Sequence, residues 1–123
     1  MSGNRIVCDT NVLIHLLGGN GDVVNFLRGK ELSLSVVTEL ELYAKPNLTE
    51  REEEVIDLLI ENCFVIELSP SIKQIVKKIR KTNKIKLPDA IIASTAIYLD
   101  IPLVTYDRDF ESIGELKLIL LKL

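Results

Sequence analysis

Three carboxylates stand where the chain otherwise turns apolar. Asp9 follows Ile6-Val7-Cys8 and precedes Val12-Leu13-Ile14. Asp89 sits in "LPDAIIASTA", residues 87–96, and Asp107 directly follows Leu103-Val104-Thr105-Tyr106. A fourth acid is offered by "SVVTELELYA", residues 35–44, which holds Glu39 and Glu41. Gathered carboxylates repel and resist ionising together unless a cation is present. Hard oxygen ligands of this kind suit Mg²⁺ or Mn²⁺. A divalent ion lowers the pKa of bound water and offsets phosphate charge, which is what phosphodiester hydrolysis requires.

Each acid also has an ordinary explanation. Asp9 can cap the helix that follows it, Asp89 can complement a helix dipole, and Asp107 can be a turn residue. Glu39 and Glu41 are two helical positions apart, about 200° of rotation, so both cannot face one site. Both flank the apolar face of Val36, Val37, Leu40, Tyr43 and Ala44, and periodicity does not choose between them. Asp109, near Asp107, reads as a cap for a short segment at 110–113.

The elements around these acids alternate in type. Strands are predicted at Arg5–Cys8, Leu32–Ser35, Phe64–Leu68 and Leu103–Tyr106, with a possible fifth at 117–121. Helices are predicted at 10–17, at 22–28 with Asp22 as cap, and at Val36–Ala44. Another starts at Thr49, which opens a capping box with Glu52. Ser69-Pro70 marks a helix start, and Ile72, Ile75, Val76 and Ile79 then recur at helical spacing. Pro88-Asp89 begins a helix apolar on nearly every side through Leu99, hence one buried centrally. Strands alternating with helices imply an α/β fold: a central parallel sheet of four to five strands flanked by helices. In such a sheet functional groups collect at the carboxyl ends of the strands. If the first and fourth strands are neighbours, Asp9 and Asp107 leave the sheet at the same edge.

Composition narrows the classes. The 123 residues are expected to form a single domain over 1–123, with 47% hydrophobic and 27% charged residues. No membrane span or secretory leader is read, and Cys8 and Cys63 lack metal-ligand spacing and read as small buried hydrophobes, so a reducing cytoplasm is expected. Tryptophan is absent and aromatic residues make up 5%, so base stacking is not the main binding device. The one histidine, His15, reads as a packed or partly exposed helix residue, and it leaves no histidine pair for metal-free acid–base catalysis. Gly18-Gly19-Asn20-Gly21 fits neither a dinucleotide fingerprint nor a phosphate-binding loop.

The segments "VCDTNVLI", "SVVTELEL", "LPDAIIASTA" and "IPLVTYDRDF" occur in this order. Together they resemble the four acidic motifs of PIN-domain ribonucleases, in particular the VapC-like toxins of prokaryotic toxin–antitoxin pairs. The resemblance runs from residue 5 to about 115. It implies a PIN-like nuclease domain whose catalytic and metal-holding residues are Asp9, Glu41, Asp89 and Asp107, with Asn11 and Thr105 as accompanying polar residues. Glu41 is preferred over Glu39 because the family pattern reads Ser-Val-x-Thr-x-x-Glu-Leu. The implied activity is Mg²⁺- or Mn²⁺-dependent endoribonuclease cleavage, with an RNA substrate, a cognate antitoxin and a homodimeric state. The chain departs from many relatives after the motif glutamate, where Tyr43-Ala44-Lys45-Pro46 stands in place of an early glycine.

Positive charge is concentrated in one stretch. Lys73, Lys77, Lys78, Arg80, Lys81, Lys84 and Lys86 occur with no acid among them, although the net charge is −3. An unmixed basic face is unusual for mere solubility. Lys73, Lys77, Arg80 and Lys81 are the candidates for RNA phosphate contact. Two other functions remain open on sequence: a receiver-type Mg²⁺-binding phosphoacceptor domain, and a non-catalytic PIN-fold interaction domain.

Overall fold

The structure, a computed structural model, describes residues 4–122. Five parallel strands form one sheet in the order β3-β2-β1-β4-β5. They are β1 (Arg5–Cys8), β2 (Glu31–Ser35), β3 (Phe64–Ile66), β4 (Leu103–Thr105) and β5 (Leu118–Leu120). β1 pairs with β2 through Ile6 opposite Leu32, and with β4 through Cys8 opposite Val104. The first and fourth strands are therefore neighbours. The chain winds outward from this central pair in both directions, so the β1/β4 seam is the topological switch point of the sheet. Open α/β sheets form a crevice there, beyond the carboxyl ends of the strands.

Six helices cover the two faces: α1 (Thr10–Leu17), α2 (Gly21–Leu27), α3 (Val36–Leu42), α4 (Glu50–Glu61), α5 (Pro70–Thr82) and α6 (Leu87–Leu99). A 3₁₀ turn spans Arg108–Ser112. Successive strand residues point to opposite faces, and β1 shows the consequence. Val7 joins a core with Ile72, Ile79, Ala93, Leu103 and Phe110, while Ile6 and Cys8 join one with Val12, Leu13, Leu34 and Ile56. α6 explains its own lack of amphipathicity, since it packs against α5, α3, β1 and β2. Its Ala90, Ala93 and Ala96 are fully buried, and these short side chains let the helix backbone approach the sheet.

Several boundaries differ from the sequence reading for local reasons. α2 is capped by Asn20 and not Asp22, because the Asn20 side-chain oxygen accepts from the backbone N–H groups of Asp22 and Val23. α3 stops at Leu42, two residues early, with Tyr43 as its C-cap. β3 and β4 end at Ile66 and Thr105, so they are shorter than their apolar runs. The 3₁₀ turn is capped by Asp107, whose Oδ1 accepts from Asp109 N–H at 2.8 Å; Asp109 lies inside the turn and does not cap it. The Thr49–Glu52 capping box forms as expected, with both reciprocal bonds present. Cys8 is buried, Cys63 is partly buried, and both are free thiols. No helix among the described residues is long and apolar enough to cross a membrane.

The alanine face of α6 yields a stability test. Extra methylenes in a filled core cost about 1–3 kcal/mol, so Ala93→Leu is expected to destabilise the protein by that amount in urea unfolding. An unchanged midpoint would mean that α6 is not seated as closely as its burial indicates.

Candidate active site

Asp9 is the first residue beyond β1 and the N-cap of α1. It is only 5% exposed. Its Oδ1 accepts from the Thr10 backbone N–H at 2.8 Å, and its Oδ2 accepts from the Thr105 hydroxyl at 2.7 Å. The Thr105 oxygen in turn accepts the backbone N–H of Asp107 at 3.0 Å. One threonine at the end of β4 thus ties the Asp9 carboxylate to the segment that presents Asp107.

Glu41 reaches the same region from α3, which begins directly after β2 with Ser35 as its cap. The Thr10 hydroxyl donates to Glu41 Oε1 at 2.5 Å and lies 3.1 Å from the Thr38 hydroxyl. A hydroxyl has one proton to give. With the Thr10 proton committed to the carboxylate, Thr38 supplies the proton of the second bond. Asp89 occupies the first turn of α6, within range of the charges of Asp9, Asp107 and Glu41.

Electrostatics show that the four acids share one space. Burial raises the Asp9 pKa, its hydrogen bonds from Thr105 and Thr10 lower it, and the charges of Asp107 and Glu41 raise it again. Asp89 is pushed up to about 6 by burial and then by Asp9, Asp107 and Glu41, with Lys86 opposing. Glu39 acts elsewhere. Its charge falls on Tyr43, which burial, a hydrogen bond to Asp57 and the charges of Asp57 and Glu39 raise to about 12. Of the two glutamates left open by periodicity, Glu41 is the one turned toward the aspartates.

The remaining candidates are distributed around this centre. Asn11 is exposed on the first turn of α1, with no side-chain hydrogen bond among the described residues. The His15 ring packs at 4.8 Å from the Tyr106 ring. Lys73, Lys77, Arg80 and Lys81 are all exposed on α5. Only Arg80 among them lines the cavity of about 750 Å³ that opens beside Asp89; Lys84, Lys86 and Arg108 line it too. Arg108 was not singled out from sequence, because it follows Asp107 in an acidic segment and lies outside the basic stretch. A second cavity, of about 570 Å³, lies on the Glu41 side and is lined mainly by apolar residues, among them Ile14, Leu17 and Ile56.

The donor set can be tested against a divalent ion. All four groups are oxygen donors, and their mutual repulsion is what a cation would relieve. No three acidic, histidine or cysteine side chains among the described residues are drawn close enough to enclose an ion by themselves. Mg²⁺ keeps several waters and takes only one or two carboxylates directly, so it requires no such closed cage. The fit rests on the chemistry of the donor set, oxygen ligands whose charges repel one another, which suits a hard divalent cation.

The PIN-domain family model matches residues 6–116. The chain belongs to the PIN-domain family. The resemblance carried by the four acidic motifs is thereby borne out. Similar solved structures share the fold. A toxin–antitoxin complex from Klebsiella pneumoniae contains a chain 25% identical, matched over 96% of this chain and 99% of that one at a TM-score of 0.83. VapBC2 from Rickettsia felis, bound to a promoter DNA fragment, gives 20% identity, coverage of 94% and 98%, and a TM-score of 0.80. VapBC-1 from nontypeable Haemophilus influenzae gives 24% identity, coverage of 94% and 97%, and 0.78. Comparison with curated proteins gives no match. The strand order of this PIN domain also argues against the receiver alternative, which needs its acceptor after a central third strand. Here β3 is an edge strand.

The raised Asp89 pKa predicts a pH dependence. A carboxyl whose folded pKa lies above its unfolded value favours folding below the unfolded pKa and loses that contribution as pH rises through the folded one. In metal-free buffer the thermal midpoint is therefore expected to decline as the pH is raised from 3.8, the ordinary carboxyl value, through about 6. Asp89→Asn should flatten this decline and raise the neutral-pH midpoint by a few degrees, a modest effect because the group is partly solvated. Thermal melts across that pH range decide it; identical profiles for both proteins would show that Asp89 bears no repulsion.

Proposed function

We propose that this PIN domain is a metal-dependent endoribonuclease that hydrolyses RNA phosphodiester bonds and serves as the toxin of a toxin–antitoxin pair. The observation that carries the reading is the mutual electrostatic coupling of Asp9, Glu41, Asp89 and Asp107 at the sheet's switch point. Family membership supports nuclease chemistry. The toxin role is supported by the similar complexes, which are described as toxin–antitoxin or VapBC assemblies. These also motivate an antitoxin partner; a homodimer and a cytoplasmic location complete the proposal.

The residues divide the work. Asp9, Glu41, Asp89 and Asp107 would hold Mg²⁺ or Mn²⁺. Bound there, the ion supplies an acidified water and charge neutralisation at the phosphate. Thr105 orients Asp9 and anchors the Asp107 backbone. Thr10 fixes Glu41 through its hydroxyl and Asp9 through its N–H. Because each carboxylate rests on a rigid element end, little reorganisation is needed when substrate arrives. The exposed basic face of α5, with Lys73, Lys77, Arg80 and Lys81, attracts the polyanion toward the acids. His15, packed on Tyr106, has no assigned chemical role.

The test is cleavage of RNA with Mg²⁺ or Mn²⁺ supplied and withdrawn. Wild-type protein should cut only with the ion. Asp9→Asn and Asp107→Asn should fall to background, while Glu39→Gln should match wild type. Cleavage unaffected by chelation, or retained in Asp107→Asn, removes the metal-centred reading.

Thr105→Val is a separate case, since it touches no substrate. It leaves the Asp9 Oδ2 and the Asp107 N–H without their shared partner. Loss of such an orienting group typically costs 10–100-fold in metal affinity or activity. The apparent Mn²⁺ affinity of Thr105→Val, read by titration of cleavage rate and by metal-induced thermal shift, should weaken by about that factor. A variant with a lower melting point but unchanged metal titration would assign Thr105 to stability alone.

A further inference from the structure

The cavity beside Asp89 has two walls. One is the end of α5 and the connection into α6, carrying Arg80, Lys84 and Lys86; the other is the 3₁₀ turn, carrying Arg108. Asp89, Asp109 and Glu111 also line it, so the cations outnumber the acids by one. The acids do not use up the positive charge. Glu111 is paired with Arg108 at 3.1 Å, and neither Lys84 nor Lys86 makes an ion pair among the described residues. Arg80 donates from Nε to the Ile85 carbonyl at 3.3 Å, which fixes the guanidinium at the cavity wall. Its terminal nitrogens make no further hydrogen bond among the described residues.

Two features define what such a cavity can receive. No aromatic side chain lines it, so it offers no surface on which a base could stack. It opens onto Asp89, so an occupant would be continuous with whatever lies over the acidic cluster. Cations converging from two walls, without a ring, suit a phosphate and not a base. The Arg108–Glu111 pair is exposed, with side-chain exposures of 78% and 46%, and surface pairs of this kind are worth little. Arg108 can leave Glu111 at low cost.

We propose that this cavity receives a backbone phosphate of the RNA strand next to the bond being cut, held by Arg80, Lys84, Lys86 and Arg108, with Arg108 exchanging Glu111 for the phosphate. The inference rests on the endoribonuclease reading. It makes the contact indifferent to base identity and places it on residues other than the exposed α5 lysines.

The experiment measures binding of short single-stranded oligoribonucleotides of different sequence across a salt series, in the cleavage-deficient Asp107→Asn protein. Arg108→Gln and Lys84→Gln should each weaken binding several-fold at low salt, equally for all sequences. Each should lower the magnitude of the log–log salt slope by about 0.7, the counterion contribution of one single-strand phosphate contact. Glu111→Gln, which frees Arg108, should tighten binding, and the gain should shrink when Arg108→Gln is added, a dependence that mere loss of a repelling charge would not produce. Lys73→Gln, about two turns back along α5 from Arg80, should change the slope less than Arg108→Gln. Unchanged slopes in Arg108→Gln and Lys84→Gln, a Glu111→Gln gain that persists in full beside Arg108→Gln, or an equal or larger effect of Lys73→Gln would overturn the proposal. Cleavage by the wild type is read in parallel. If it cuts RNA while the slopes stay unchanged, only this inference fails; if it cuts no RNA, the ribonuclease reading fails first.

Discussion

A carboxylate sealed from water beside other negative charges needs stabilisation from its surroundings. Asp9 meets this condition at the centre of the molecule. Burial and the charges of Asp107 and Glu41 disfavour its ionised form, while a backbone N–H and the Thr105 hydroxyl favour it. These bonds come from the two strands that part company at the switch point: Thr10 continues β1 into α1, and Thr105 ends β4. The neighbouring ladder is continued by Asp9 N–H, which donates to the Val104 carbonyl at 3.0 Å. The pairing of β1 with β4 is therefore both the middle of the fold and the support of its most constrained charge.

The other acids depend on that seam through separate elements. Glu41 needs α3 to start immediately after β2, which the Ser35 cap ensures by accepting from Val37 N–H at 3.1 Å. Asp89 needs α6 to press closely on the sheet, which its buried alanines permit. Asp107 needs the chain to turn at once after β4, and it stabilises that turn itself by capping the 3₁₀ segment. One Asp107 oxygen thus has a structural duty while its charge still raises Asp9 and Asp89. Capping and site chemistry are not competing explanations here, and the same holds for Asp9 at the start of α1.

Most of this was legible from local pattern. The helix start at Ser69-Pro70 and the Thr49–Glu52 box follow from capping chemistry that lies within four residues. The parallel sheet followed from alternation of element types, and the convergence of Asp9 with Asp107 required only that β1 and β4 be adjacent. What could not be read was whatever depends on competition between neighbours. Asn20 and Asp22 are both able to cap α2, and Asn20 is the one whose side-chain oxygen accepts from the first free N–H groups of the helix. Asp107 and Asp109 are both able to cap the 3₁₀ turn, and the nearer one to β4 prevails. Glu39 and Glu41 flank the same apolar face, so their assignment needed the tertiary partners Thr10 and Tyr43. Arg108 joins the basic cavity only because the turn after β4 folds back toward the end of α5, a contact between distant segments.

The charge layout also bears on the order of events at the site. The chain carries a net charge of −3, and its acidic cluster adjoins a cavity whose cations exceed its acids by one. A phosphate strand approaching Arg80, Lys84, Lys86 and Arg108 must also approach Asp89 and its neighbours. At a pH where those acids are ionised, attraction on one side is opposed by repulsion on the other, and at separations below the Debye length of about 8 Å salt screens neither fully. Neutralising the acids therefore does two things on the proposed reading: it relieves the strain that raises Asp9 and Asp89, and it removes the repulsion that keeps the strand out. The carboxylates whose charges raise Asp9 and Asp89 would then make RNA entry conditional on a bound cation.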